Sequence, residues 1–301
     1  MKKVYVMLSS YNGEKYIAEQ IDSILNQTGV SVRLAVRDDG SSDGTAEILR
    51  RYAAENGNVE VSFGENVGYA KSFFDLIRTS PEGFDYYALS DQDDVWAEDK
   101  LESAVAMLSE KEGPRLYGCN PELVDRDLSH IGYMQPPTKD DFKKGRYLID
   151  KYSYGCTMVF DPMLRELAVS HIPKTKVSHD NWLGLLAVFC GEFVFDERSF
   201  IKYRQHGNNV TGGKSGLRET WKRRLKNMKN LSDLSRRDIA DELLNAFPSD
   251  FDEETKDLLT MVRDYKKSFK NRMRFFFDKR TKRKSAEKNF VFRMMILFGK
   301  A

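Results

Sequence analysis

Cysteine is scarce in this chain of 301 residues: there are three, Cys119, Cys156 and Cys190, far apart and without CxxC or Cys/His spacing. That excludes a disulfide framework and a thiolate zinc site, and it suits a reducing cytosol. Long apolar runs are also missing. None approaches the ~18 residues of a membrane-spanning helix. The longest candidate, Val291 to Phe298, is short and contains Arg293. The N-terminus has basic Lys2 and Lys3 but no long apolar stretch before a cleavage site, so it reads as a first strand rather than a signal peptide. There is no internal repeat and no low-complexity tract.

Hydrophobic residues make up 41%, enough for a real core, and charged residues 31%, so the surface is well solvated. The length suits one α/β domain of about 200–250 residues plus an appendage. The net charge of +2 conceals an asymmetry. Residues 1–213 carry 24 Lys/Arg against 33 Asp/Glu, whereas residues 214–301 carry 24 against 13. The chain therefore divides into an acidic part over 1–213 and a basic extension over 214–301 with a partner of its own.

Periodicity gives the class. Val4 to Ser9 is a short apolar run of buried-strand type, and Ile17, Ile21, Ile24 and Leu25 then mark one helix face. Val32–Val36 and Val59–Phe63 read as strands, with a helix between them carrying Ile48, Leu49 and Tyr52 and capped by Ser42 or Asp43. Tyr69 to Arg78 is helical, and Phe84 to Leu89 is a fourth strand running into Asp91. This alternation predicts an α/β fold, a mostly parallel Rossmann-like sheet flanked by helices. Ligands of such sheets bind beyond the carboxyl ends of the strands, where Asp38/Asp39 and Asp91/Asp93 both fall. Residues 113–150 read as loops and a hairpin, Cys156–Phe160 as a strand, Asp180–Cys190 as a helix and 214–301 as mainly helical.

Asp91-Gln92-Asp93-Asp94 sets three carboxylates within four residues. They repel one another unless a cation or hydrogen bonds compensate. Hard oxygen ligands favour Mg²⁺ or Mn²⁺, which take carboxylates together with substrate phosphates. The plainer alternative is a solvated acidic turn, with Asp94 capping a helix near Glu98. Asp38-Asp39-Gly40-Ser41-Ser42-Asp43 is equally a common Asx-rich turn or a carboxylate set to accept from a base N–H.

Four segments in order carry a resemblance: Ser9-Ser10-Tyr11-Asn12-Gly13, Arg37 to Asp43, Asn66-Val67-Gly68 and Asp91 to Trp96. Together they resemble the nucleotide-binding half of a family-2 glycosyltransferase of GT-A fold, over roughly residues 1–210. The likeness is to rhamnosyltransferase-like enzymes of bacterial surface polysaccharides. It implies a nucleotide-binding half over 1–112 and an acceptor half over 113–213. It further implies that Ser9 and Tyr11 border the base, that Asp38 or Asp39 binds its edge, that Asp91 meets the ribose and that Asp93 ligates the metal. Lys71 lies near a position where relatives use a cation. His179-Asp180-Asn181-Trp182 resembles the family's acidic pair with His179 in place of the first acid, so the general base rests on Asp180; the plainer reading is an N-cap. Tyr203 to Asn209 resembles the closing segment, with His206 as a further metal ligand and Arg204 or Gln205 touching phosphate. His130 and His171 read as surface residues.

The implied activity is inverting transfer of a sugar from a UDP- or dTDP-linked donor to a hydroxyl of a surface glycan or lipid-linked acceptor, using Mn²⁺ or Mg²⁺. One rival is a sugar nucleotidyltransferase, which would carry a glycine-rich basic loop where Ser9 to Glu14 stands. Another is a non-catalytic scaffold, against which Asp91, Asp93 and Asp180 argue. The basic extension mixes cations with large apolar groups at Trp221–Lys226, Arg272–Phe277 and Phe290–Phe298. This suits an interfacial helix at the inner face of the cell membrane, or a helical hairpin packed on the catalytic domain or on a second protomer. No nucleic-acid module accompanies the charge.

Overall fold

The structure is a computed structural model that describes residues 1–150, 152, 154–205 and 236–301. The boundary expected at 213/214 and the Trp221–Lys226 segment fall outside the described residues.

Strand β1 (Lys2–Ser10) holds Val4 to Leu8 almost wholly out of water. Both of its faces are covered, which is why it reads as a continuous apolar run. Helix α1 (Ile17–Leu25) turns Ile17, Ile21 and Ile24 inward, and β2 (Val30–Asp38), α2 (Thr45–Glu55), β3 (Val59–Phe63), α3 (Tyr69–Thr79) and β4 (Tyr86–Ser90) continue the alternation. The remaining strands are β5 (Val95–Trp96), β6 (Arg115–Cys119), β7 (Glu122–Val124), β8 (His130–Tyr133), β9 (Val159–Phe160), β10 (Glu192–Asp196) and β11 (Ile201–Arg204). Helices α4 (Lys100–Ser109), α5 (Lys144–Ile149), α6 (Pro162–Ser170) and α7 (His179–Cys190) complete the sheet-bearing part.

The main sheet runs β10-β6-β9-β4-β1-β2-β3, parallel except for β9. Leu8 pairs with Ser90 and Ser10 with Asp38, so the carboxyl ends of β4, β1 and β2 lie level. A second sheet, β5-β11-β7-β8, lays β11 antiparallel to β5, directly after the acidic turn. One apolar core, with Ile17, Leu49 and Leu101, fills one face of the main sheet; the other, with Phe73, Leu164 and Trp182, fills the opposite face.

Two expectations are corrected. Gly155–Thr157 is a 3-10 turn, leaving only Val159–Phe160 as strand, because β9 is squeezed antiparallel between β4 and β6 and gives way to the Asp161-capped start of α6. Gly44, not Ser42 or Asp43, is the N-cap of α2, although Asp43 does accept from Thr45 N at 3.1 Å.

The extension forms α8 (Arg236–Ala246), α9 (Glu253–Asp264), α10 (Phe269–Phe277) and α11 (Ala286–Leu297). Ile239, Leu243, Leu259 and Phe292 share one core with Trp182 and Leu186 of α7. Among the described residues no helix is long and apolar enough to cross a membrane. Glu242 of α8 ties the parts together, accepting from Thr175 Oγ1 at 2.8 Å and from the backbone of Lys174 and Thr175, with His171 Nε2 at 2.6 Å. His171 is thus a seam residue rather than a surface one.

Burial pushes the Glu242 carboxyl up, but the bonds from His171, Thr175 and Lys174 outweigh it and hold the group below the usual range. A depressed carboxylate stabilises the fold above its unfolded pKa, and that contribution is lost as pH falls through the folded one. Glu242→Ala should therefore destabilise the protein by about 2 kcal/mol near neutral pH. In denaturant unfolding, the gap from wild type should close as the pH drops below about 4.

Candidate active site

Level strand ends bring three loops together. After β2, Asp38 and Asp39 are each 2% exposed. Asp38 accepts from Ser10 Oγ at 3.0 Å and from Ser41 N and Oγ at 3.0 and 2.5 Å. Asp39 pairs with Arg37 and accepts from Val67 N at 3.0 Å and Gly68 N at 2.9 Å. Gly68 can present that N–H because its φ of +85° is open to glycine. The two carboxylates thus hold the first, second and third loops in register. Ser9 shares a 2.6 Å hydrogen bond with Ser72 of α3. Tyr11 is 47% exposed, and its backbone N and O both bond the side-chain amide of Gln92, at 2.8 and 3.0 Å. Any Cβ on Gly13 would stand 2.4 Å from Gln92 Oε1, so that approach requires glycine.

The acidic turn follows β4. Asp91 and Asp93 are half-buried, whereas Asp94 is 1% exposed. Burial, then Asp93 and Asp180, push the Asp91 carboxyl up. Burial, then Asp93 and Asp91, push Asp94 well up. Asp94 caps nothing: α4 begins at Lys100 with Asp99 before it. Asp94 Oδ1 accepts from Arg204 N at 3.2 Å, while its buried Oδ2 has no hydrogen-bond partner among the described residues. Carboxylates crowded this way fit a divalent cation. Carboxylates of Asp91 and Asp94 and the thiol of Cys156 have ligand atoms within 4.8 Å of one another. Yet Asp94 and Cys156 are enclosed, and burial followed by Asp94 and Asp91 keeps that thiol protonated. Of the carboxylates in this turn, only those of Asp91 and Asp93 are open enough to suit a hydrated hard cation.

Arg204 lies beneath this turn, 2% exposed. Its Nε donates to Asp93 O at 2.9 Å, its other nitrogens reach Arg126 O and Glu19, and the guanidinium lies over the Tyr16 ring. Arg204, expected alongside Gln205 as a candidate phosphate contact, has its charge facing inward here, where it braces the turn. Lys100 is also enclosed, its Nζ 3.5 Å from the Trp96 ring centroid. Burial draws it down to about 8, against the pull of Cys119, Cys156 and Asp94.

Asp180 stands in the first turn of α7, whose N-cap is Ser178, so it is not the cap. It couples electrostatically to Asp91 and to the Tyr69 hydroxyl. Burial, then Asp180, then Asp91, raise the Tyr69 pKa. His179 stacks on Phe73 with ring centroids 4.0 Å apart, and Gly155 leaves room for it, since a Cβ there would lie 2.8 Å from Nε2.

The structure therefore gathers Asp91, Asp93 and Asp180 at one edge, with Tyr11 on the loop beside it. Lys71 is exposed on α3, and Gln205 N bonds Val124 O at 2.8 Å. His206 lies outside the described residues. Sequence reasoning missed Tyr69, Gln92, Lys100 and Cys156. Gln92 sits inside a motif segment and Tyr69 directly after one, so both had a signal; Lys100 and Cys156 become neighbours only through the packing of α4 beneath the sheet.

Residues 5–168 match the model of Glycosyl transferase family 2. A dTDP-rhamnosyl transferase RfbG of Shigella flexneri is 28% identical over 236 residues, covering 72% of this chain and 77% of its own. An Escherichia coli UDP-Glc:alpha-D-GlcNAc-diphosphoundecaprenol beta-1,3-glucosyltransferase WfgD is 28% identical over 229 residues, covering 72% and 83%. Among solved structures, S. aureus TarS 1-349 in complex with UDP-GlcNAc superposes with a TM-score of 0.61 at 18% identity, covering 99% of this chain and 82% of that one. The mannosyltransferase PcManGT from Pyrobaculum calidifontis, in complex with GDP-Man and Mn²⁺, gives 0.51 at 16%, covering 99% and 86%. These likenesses establish the GT-A-type fold. With the family model spanning all three loops of the acidic edge, the chain belongs to glycosyl transferase family 2.

Proposed function

We propose that the chain transfers a sugar, with inversion, from a UDP- or dTDP-linked donor to a hydroxyl of a bacterial surface glycan or lipid-linked acceptor. The observation that carries this is the placement of Asp180, in the first turn of α7, beside the Asp91-Gln92-Asp93-Asp94 turn at the sheet edge. It sets a carboxylate from a separate helix against the acidic turn, as donor and acceptor chemistry require. The relatives named for dTDP-rhamnosyl and UDP-Glc transfer support the donor class.

In this reading Ser9 and Tyr11 border the base, Asp38 or Asp39 supplies its edge contact, and Asp91 takes the ribose. Since both loop carboxylates are held by internal bonds, their first effect is to fix the pocket's shape. Asp93, with His206 as a further ligand, would hold a divalent ion. Mn²⁺ or Mg²⁺ bound there would neutralise charge on the leaving diphosphate; the Mn²⁺ in PcManGT is in keeping with this. Arg204 keeps Asp93 aimed outward, and Lys71 lends positive charge to the donor side. Asp180 accepts the acceptor hydroxyl's proton as its oxygen attacks the anomeric carbon. A single carboxylate base suffices for one inverting displacement.

The extension supports a peripheral contact with the inner membrane face. Phe269, Phe277, Phe290 and Phe298 are 65–73% exposed on α10, α11 and the residue beyond, beside Lys270, Arg274 and Lys300. Aromatic side chains flanked by cations suit an anionic leaflet.

Nucleotide sugars should raise the melting temperature of wild type only with metal, and EDTA should remove the effect. Asp93→Asn should abolish that shift. Asp180→Asn should keep it while transfer falls by about 10²–10⁴-fold; near-normal transfer in that variant would refute the base assignment. For the membrane contact, wild type should float with phosphatidylglycerol-containing vesicles, and Phe277→Ser with Phe290→Ser should weaken partitioning at least about tenfold. Unchanged flotation would remove these helices from the contact.

A further inference from the structure

The seam between the sheet-bearing part and the extension encloses a cleft of about 580 Å³. That is the size of a small-molecule site. Among the described residues four cations line it, Arg236, Arg283, Lys284 and Lys288, against one carboxylate, Asp150, although Lys284 Nζ also lies 3.4 Å from Asp141 Oδ2. Asp150 is already engaged with Arg283. Arg236 is 9% exposed and spends Nε and a terminal nitrogen on Ile149 O, at 3.3 and 3.1 Å. Burial, then the like charge of Arg283, draw Arg236 down to about 10. Arg283 Nε is buried and meets no acceptor among the described residues. Among the described residues these two crowded guanidinium groups share a single carboxylate, and an anion would relieve their mutual repulsion.

The cleft also borders the chemistry. Asn181 lines its wall and directly follows Asp180 on α7. Successive helical residues point about 100° apart, so one turn serves Asp180 to the acidic edge and Asn181 to the cleft. Given the role proposed for Asp180, we propose that this cleft seats a phosphoryl or diphosphoryl group of the acceptor and so delivers the acceptor hydroxyl beside the general base. The donor's diphosphate occupies the separate acidic edge.

Calorimetry on the full chain with inorganic pyrophosphate in EDTA tests this, because the metal-dependent donor site is then silent. Wild type should bind, and Lys284→Glu with Lys288→Glu should weaken binding at least about tenfold. Lys279→Glu, an equal charge change outside the cleft lining, should leave it unchanged. The double variant should still bind UDP with Mn²⁺, which shows that it is folded. No binding by wild type, binding unaffected by the double variant, or displacement of pyrophosphate by UDP would each overturn the proposal. Asp93→Asn should lose UDP binding but keep pyrophosphate; loss of nucleotide binding by wild type would instead sink the glycosyl-transfer reading. Farnesyl diphosphate binding more tightly than pyrophosphate assigns the group to a lipid-linked acceptor; equal affinity assigns it to the phosphoryl group alone.

Discussion

Carboxylates crowd the carboxyl edge of the main sheet, and their mutual repulsion is the constraint to which the surrounding structure answers. Asp93 and Asp180 lie close enough to raise the proton affinity of Asp91, as Asp93 and Asp91 raise that of Asp94. Left to itself such a turn would open toward water. Arg204 opposes this from below, bonded to Asp93 O and through its own N–H to Asp94. Glu19 and Tyr16 of the α1 region hold Arg204 in turn. Gln92 pins the same turn to the β1 loop from the other side. The bracing leaves Asp91 and Asp93 facing out and Asp94 facing in, a division that a hydrated cation with phosphates can use on the outer pair only.

Much of this edge was legible in the sequence because it depends on local order. Short apolar runs ending in Asp38 and Asp91 marked strand ends, and a parallel sheet places such ends on one edge. The class, the early elements and the meeting of the Asp38 and Asp91 loops follow from that logic, whereas Asp180, on a later helix, was pointed to by the family resemblance alone. What was not legible depends on pairing between distant segments. Nothing near Arg204 signals that β11 lies antiparallel to β5, yet this pairing carries Arg204 under the turn and makes it a brace. Asp94 looks like any Asp ahead of a helix until Cys156 and Lys100 close over it. The Gly155–Thr157 turn was hidden for a similar reason: its composition suits a strand, and only the narrow slot between β4 and β6 shortens β9.

Helix α7 joins the two sides of the molecule. From Asn181 to Phe189 it is buried almost all round, so its apolar residues show no single amphipathic face. A helix of that kind must be enclosed by other elements. Helices α3, α5 and α6 and strands β6 and β10 cover part of it, and the shared core with Ile239, Leu243 and Leu259 adds to that cover. Removing that cover would expose Trp182 and Leu186, which argues that the extension is part of the catalytic fold and not a tethered tail.

This changes the meaning of the charge asymmetry. Read along the chain, a basic C-terminal segment suggests a separate partner. In space several of its described cations gather in two places. Arg236, Arg283, Lys284 and Lys288 line a cleft beside α7, with Arg236 buried, whereas Lys270, Arg274 and Lys300 lie along the helices that carry the exposed phenylalanines. Arg236 is costly to hold: burial and like charge weaken its proton affinity, and a well-packed apolar seam would be at least as stable. Stability alone therefore does not account for cations at this seam. The anionic ligand proposed for the cleft would account for them, and positive charge beside Asp180 is the counterpart of the negative edge formed by Asp91 and Asp93.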